Sequence, residues 1–377
     1  MRYNKPILTH RKEHIIMKFD KITGLPVELY GGAWEKPAGH LQGAAADDEN
    51  NYMYLSFTDR LVKVDMHTGE IVGSVTGLLA GSIYGGGAHL GDLAYRDGKV
   101  YGSLEYKATE KFYIAVFDVA KITGMDIDYK TPGVLTTMYM EEVVKDYKDE
   151  LNAGEHLNGH ATLGHKHACS GIDGITFGPL PGDDSGKIYM TVAYGVYRHE
   201  ERGDNDYQVI LAYDPDAFEG AYFDQNNPHE IGPKLYKKLF VYTGNTSYGV
   251  QNLEYDRVTG DYWMVVYEGR KAQFDNRPLY VVDGKIAPKM QKLQLGNHPC
   301  YGDMEGECLT LKQVGTLHEA SGVWGISQMP YTADKGFISL GNDYYYVADG
   351  HKEDDKEYGY MRLTKLDRTN YTFVDVE

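Results

Sequence analysis

One heptapeptide pattern recurs five times along the chain, and no other feature limits the fold so strongly. The copies are HLQGAAA from His40, HLGDLAY from His89, GIDGITF from Gly171, GVQNLEY from Gly249 and GVWGISQ from Gly322. Each reads as His or Gly, an aliphatic residue, a variable residue, a small or polar residue, then usually another aliphatic. After a turn rich in Asp, Gly or Asn comes a second β-type run: YMYLSFTD, KVYGSLEYK, KIYMTVAYG, DYWMVVYEG and KGFISLGND. A third run ends on aspartate in every copy, at Asp65, Asp118, Asp214, Asp283 and Asp367. Short β-rich runs bounded by turn residues and repeated as a unit are the signature of a β-propeller, whose blades are small antiparallel sheets.

The sequence therefore predicts an all-β chain, a single propeller domain over residues 1–377, five-bladed, with a six-bladed ring as the alternative. Starts at 40, 89, 171, 249 and 322 give intervals of 49, 82, 78 and 73 residues, so the middle blades carry insertions. One insertion, TTMYMEEVVKDYKDEL at 136–151, has the charge and apolar spacing of a helix. The N-terminal stretch IIMKFDKITGLPVELYG echoes LVKVDMHTGEIVGSVTG, which assigns the segment 12–32 to closure of the ring.

Composition narrows the function classes. A formal net charge of −17, with no run of Lys/Arg longer than a pair, excludes a phosphate-tracking surface and predicts no nucleic-acid partner. No stretch approaches the roughly 20 apolar residues of a membrane span, and the first thirty residues lack a signal-peptide core, so a cytoplasmic protein with no membrane association is expected. Three cysteines, Cys169, Cys300 and Cys308, read as reduced thiols rather than a disulfide framework. No P-loop, dinucleotide fingerprint, GxSxG elbow, CxxC or HExxH occurs, which predicts no nucleotide cofactor and removes several enzyme classes.

The strings GHLQG, HLGDLAY with VYGSLEYK, CSGIDGITFGP, DNDYQVILAYD and YTGNTSYGVQNLEYD resemble a bacterial propeller family without an assigned activity. In architecture the chain is also similar to five-bladed propellers that include glycoside-active enzymes and calcium-dependent nucleotidases, although it carries no diagnostic catalytic motif of either class.

Antiparallel geometry locates the chemistry. The first strand of a blade starts on the face where the second ends, so those residues share one rim. Ahead of the first strands lie His40, His89, His167, Asn245 and His318; after the second strands lie Glu105, Lys107, Tyr194, Arg198, Glu268 and Arg270. Four histidines from four blades, His40, His89, His167 and His318, are candidate ligands for a divalent metal such as Zn, Fe or Mn, since neutral imidazole suits these ions. The set is similar to the four-histidine iron site of carotenoid oxygenases, whose sequence signatures the chain lacks. The bland alternative is hydrogen bonding between blades. Glu105 and Glu268, with His167, are the candidate acid–base residues, two carboxylates being the minimum for glycosidic chemistry. Lys107, Arg198 and Arg270, with Tyr194, Asn245 and Tyr248, are the candidate substrate-binding groups. Asp173, Asp92 and Asn252 offer oxygens that could hold Ca in the channel, and Cys169 is read as packing.

These residues lead to an enzyme acting on a small polar substrate, saccharide-like or anionic, in the axial cleft: a hydrolase or lyase using a His-bound metal or His/Glu proton transfer. A non-catalytic ligand-binding or scaffold propeller and a four-His iron oxygenase are the alternatives.

Overall fold

The computed structural model describes residues 25–35, 39–78, 87–149, 165–196, 205–224, 229–267, 271, 277–293 and 304–377. Five antiparallel blades follow one another around an axis. Their innermost strands are Leu41–Asp47, His89–Arg96, Gly171–Gly178, Val250–Tyr255 and Phe337–Gly341. Each packs against the innermost strands of the two neighbouring blades, so the ring is closed.

Blade one continues outward through Tyr52–Phe57, Arg60–Asp65 and Ile71–Thr76, and blade two through Lys99–Tyr106, Lys111–Asp118 and Leu135–Tyr139. Blade three adds Tyr189–Gly195, Tyr207–Tyr213 and Leu235–Tyr242, then a parallel strand, Glu305–Leu309. Blade four holds Tyr262–Val266 and Leu279–Val282 outside its inner strand. In blade five the outer strand comes from the opposite end of the chain: Glu28–Glu35 pairs antiparallel with Lys356–Asp367, register Glu28 to Arg362, and an Arg362–Glu28 ion pair ties the two. Residues 12–24 of the expected closure segment lie outside the described residues.

The aspartates that end the third strands explain themselves. Asp65, Asp118, Asp214, Asp283 and Asp367 each accept backbone N–H bonds from residues two or three ahead, at 2.7 to 3.1 Å. A short carboxylate that substitutes for a missing backbone acceptor fixes the turn leading out of the strand.

The variable and small positions of the heptapeptide mark a β-bulge. Register shifts fall between Leu41 and Gly43, Leu90 and Leu93, Ile172 and Ile175, and Val250 and Asn252. A bulge re-aims one side chain and interrupts pairing, which leaves backbone N–H groups to be satisfied. Asp92 does this for two neighbouring blades, accepting from Ile175 N at 2.9 Å and Leu253 N at 3.0 Å. Asn252 Nδ2 donates to Gln42 O at 3.1 Å. Asp92 and Asn252 are thus buried staples across the axis. Gly43 stands between these staples because a Cβ there would lie 2.4 Å from Asp92 Cα.

Two expectations are corrected. In blade five KGFISLGND supplies the innermost strand, not the second, and GVWGISQ is not an inner strand. Val323–Gly325 forms a short hairpin with Thr316–His318, and Ile326 bridges to Leu279 in the third strand of blade four, so the hairpin lies at that blade's outer edge. The physical reason is burial: every residue of Phe337–Gly341 is buried, as a strand flanked by two other blades must be, whereas Thr316 and Leu317 are exposed. The helix is also shorter than expected. Residues 136–139 belong to the blade-two strand, and the helix, α1, spans Glu141–Lys148 with acids in its first turn and lysines in its last, as the helix dipole favours.

Four apolar clusters fill the spaces between adjacent sheets. Among the described residues no helix is long and apolar enough to cross a membrane.

Candidate active site

At the end of the axis where the inner strands begin, blade two sets His89 directly opposite Glu105 in register. His89 Nδ1 stands 3.6 Å from Glu105 Oε2, and Lys107 Nζ, from the turn that follows the second strand, stands 3.0 Å from the same oxygen. The Glu105 side chain is 1% exposed, while His89 is 35% and Lys107 50% exposed, so the carboxylate forms the floor and the two nitrogens its cover. The other carboxylate oxygen, Oε1, accepts the N–H of Ile172 at 2.8 Å, which joins blade two to blade three.

The blade-three bulge then aims Asp173 at this pair. One atom each from His89, Glu105 and Asp173 lies within 4.8 Å of the other two. Gln251, from the corresponding bulge of blade four, donates from Nε2 to Asp173 Oδ2 at 3.2 Å. Three glycines make room for the carboxylates. A Cβ on Gly171 would fall 1.7 Å from Glu105 Oε1, one on Gly195 2.5 Å from Asp173 Oδ2, and one on Gly91 3.3 Å from Asp173 Oδ1. His40 Nε2, from blade one, stands 2.7 Å from the amide nitrogen of buried Gln42. In blade five the turn Ala333–Lys335, which carries Asp334, packs on the inner strands of blades one and four.

The electrostatics follow from crowding acids in a poorly hydrated cleft. Burial raises Asp173 well above the usual carboxylate range, and the nearby Glu105 adds to this against the opposing pull of Lys107 and Gln251. Burial also raises Glu105, although Lys107 and the Ile172 N–H hold it back. Burial lowers the Lys107 ammonium, but Glu105 and Asp173 outweigh that and keep it above the ordinary lysine range. His89 is driven down to about 4 by burial, with Lys107 contributing, so its imidazole is neutral. Asp334 is likewise raised by burial, partly offset by Lys335 in its own turn.

The remaining expected residues are dispersed. His167 is buried beside α1, with Nε2 3.9 Å from Asp146 Oδ2 and its ring edge-on to Phe240, in a network where Tyr194 OH donates to Asp146 Oδ2 at 2.9 Å and Lys238 pairs with the same carboxylate. Tyr194 and His167 therefore hold the helix down. His318 belongs to the outer hairpin of blade four, where Nδ1 meets Ser321 Oγ at 2.8 Å. The four histidines expected to converge do not: His40 and His89 reach the axial mouth, His167 and His318 serve other places. Asn245 accepts from Lys271, and the buried Tyr248 ring packs edge-on against Tyr267 at 5.6 Å. Burial pushes the Cys169 thiol up, and it faces the carbonyls of Val143 and Gly171 as a packing group. Arg198, Glu268 and Arg270 lie outside the described residues. The acid that joins Glu105 is Asp173, which the sequence marks as the single carboxylate at the third position of the repeat.

No family model matches this sequence, and no curated protein matches it. Among solved structures, the chain is similar to one described as bifunctional GH43-CE from Bacteroides eggerthii, with 11% identity and a TM-score of 0.41 over 91% of this chain and 36% of that one. A structure described as a glycoside hydrolase gives 13% identity and a TM-score of 0.37 over 91% and 63% of the two chains. Drosophila Semaphorin 2a gives 7% and 0.37 over 94% and 54%. The chain spans under two thirds of each of these proteins. At such values the reading of function rests on the site.

Proposed function

We propose that the chain is an enzyme, a hydrolase or lyase, that transfers protons to and from a small polyhydroxylated, saccharide-like substrate bound in the axial mouth. The observation that carries this reading is the placement of Asp173, whose carboxyl burial raises well above the usual range, beside buried Glu105 and its partner Lys107. Two carboxyls this close cannot both ionise freely, and the one without an ion-pair partner keeps the proton. Asp173 is the catalytic acid, donating to the oxygen of the departing group. Glu105, shielded from substrate, is a positioning residue that sets the proton affinity of Asp173. His89, neutral and partly exposed, accepts the proton of the attacking water or of the carbon-bound hydrogen, and Lys107 steadies negative charge that develops nearby. The lining of amides, imidazoles and carboxyls matches a substrate rich in hydroxyls, each able to donate and accept.

The test is incubation of the protein with a mixed library of oligosaccharides, products being read by mass spectrometry. Fragments that have gained water identify a hydrolase, and unsaturated fragments a lyase. The reading requires the Asp173→Asn variant to form them about 100-fold or more slowly, in line with loss of a general acid. Equal turnover by the variant, or no fragment from any substrate, contradicts it.

A further inference from the structure

We infer that His89, Glu105 and Asp173 form an exchange site for a divalent transition-metal ion of the zinc class, which enters when Lys107 swings off Glu105. The inference rests on the proton-transfer reading of the same site and adds a means of regulating it. Three observations support it. First, the donor set is one imidazole nitrogen and two carboxylate oxygens within 4.8 Å of one another, a set that suits zinc-class ions better than calcium, which prefers six or more oxygens. Second, His89 Nδ1 is a buried atom without a hydrogen bond among the described residues, and Glu105, 1% exposed, turns its Oε2 toward it with the exposed Lys107 ammonium as that oxygen's partner. Their 3.6 Å separation is close to the roughly 3.4 Å between two ligands that are each about 2.1 Å from a tetrahedral ion. Third, the positive charge that these groups call for is already supplied by a replaceable group. Lys107 Nζ pairs with Glu105 Oε2 at 3.0 Å, yet its side chain is 50% exposed, so it can leave without disturbing the core.

Ammonium and metal cannot both occupy the space above Glu105 Oε2. With the metal bound, Asp173 is a ligand and has lost the proton it would donate, so metal occupancy silences the acid. Binding therefore takes both carboxylates as ligands in their ionised form and frees the Lys107 ammonium, which remains on its exposed side chain.

Titration calorimetry tests this on the full chain, without a histidine tag and after chelator treatment, using Zn²⁺ alone. The expected result is one ion per chain, weakened at least 10-fold by His89→Ala and tightened about 10-fold by Lys107→Gln, which removes the competitor. His89 lies at the edge of the cleft, so its variant remains informative if Lys107→Gln fails to fold. Absence of binding to the wild-type chain overturns the inference, as does binding that His89→Ala leaves unchanged. The two readings fail separately. If Zn²⁺ binds as described and turns the enzyme on, the metal site stands and the proton-transfer reading falls. If oligosaccharide turnover depends on Asp173 but no Zn²⁺ binds, the reverse holds.

Discussion

At the scale of single residues, the proposed mechanism depends on two acids whose charged forms burial disfavours. If the chain turns over substrate as proposed, the pH dependence follows with its signs. Asp173 must carry a proton, so activity falls as pH rises through its raised pKa; His89 must be neutral, so activity also falls as pH drops through about 4. A bell-shaped profile of kcat/KM is expected. Lys107 pulls both groups down, so Lys107→Gln moves both limbs to higher pH, and a profile that stays in place would contradict the assignment. Gly171 is the second residue-scale test. It holds φ at +129°, and an added Cβ would strike Glu105 Oε1, so Gly171→Ala is expected to cost about 2 kcal/mol or more in urea unfolding and to displace Glu105. Much of this was legible in advance: Glu105, Lys107 and His89 share a rim because antiparallel register brings strand starts to strand ends. Asp173 was visible as an odd acid in its repeat and as a channel oxygen, but not as the partner of Glu105 and His89. Its direction depends on a bulge, which no single heptapeptide announces.

At the scale of elements, the bulged inner strands carry the energetic load that a residue count would miss. Asp92 satisfies N–H groups on blades three and four at once. Asp92→Ala would leave both buried donors without an acceptor, and a loss of about 2–5 kcal/mol in chemical unfolding is expected. Glu254, near the far end of the blade-four inner strand, acts in the opposite sense. Burial pushes its carboxyl up to about 8 from an ordinary 4.5, although its Oε1 accepts the N–H of Ser339 at 3.0 Å. Between those two pH values the native state holds a proton that the unfolded chain has released, so stability falls as pH rises across that interval. Each tenfold difference in proton affinity corresponds to about 1.4 kcal/mol. Glu254→Gln is therefore expected to raise the melting temperature relative to wild type more at pH 9 than at pH 5; the same difference at both would remove Glu254 as the cause. The third-strand aspartates could be read from sequence because their partners are two residues away. The blade-five inner strand could not, because GVWGISQ repeats the glycine and aliphatic spacing of an inner strand while lacking the burial that defines one.

For the whole molecule, the ring is closed by Glu28–Glu35 on Lys356–Asp367, and that pairing holds first and last blades together. The sequence pointed to the propeller through repetition, because repetition is a pattern of the chain as a whole. What it could not show was which rim residues converge, since convergence depends on how five blades are inclined about one axis. His318 and His167 stand ahead of repeat copies in sequence and still serve the blade edge and α1. The central claim is that the axial mouth holds a carboxyl, Asp173, whose proton affinity is raised well above the usual carboxylate range by burial, with Glu105 adding to it. The most direct measurement is the titration of the Asp173 carboxyl by carbon-detected NMR on labelled protein, assigned with Asp173→Asn. A carboxyl that ionises well above the ordinary carboxylate range, and later still in Lys107→Gln, is the expected result. A carboxyl that is already ionised at pH 5 would contradict the account.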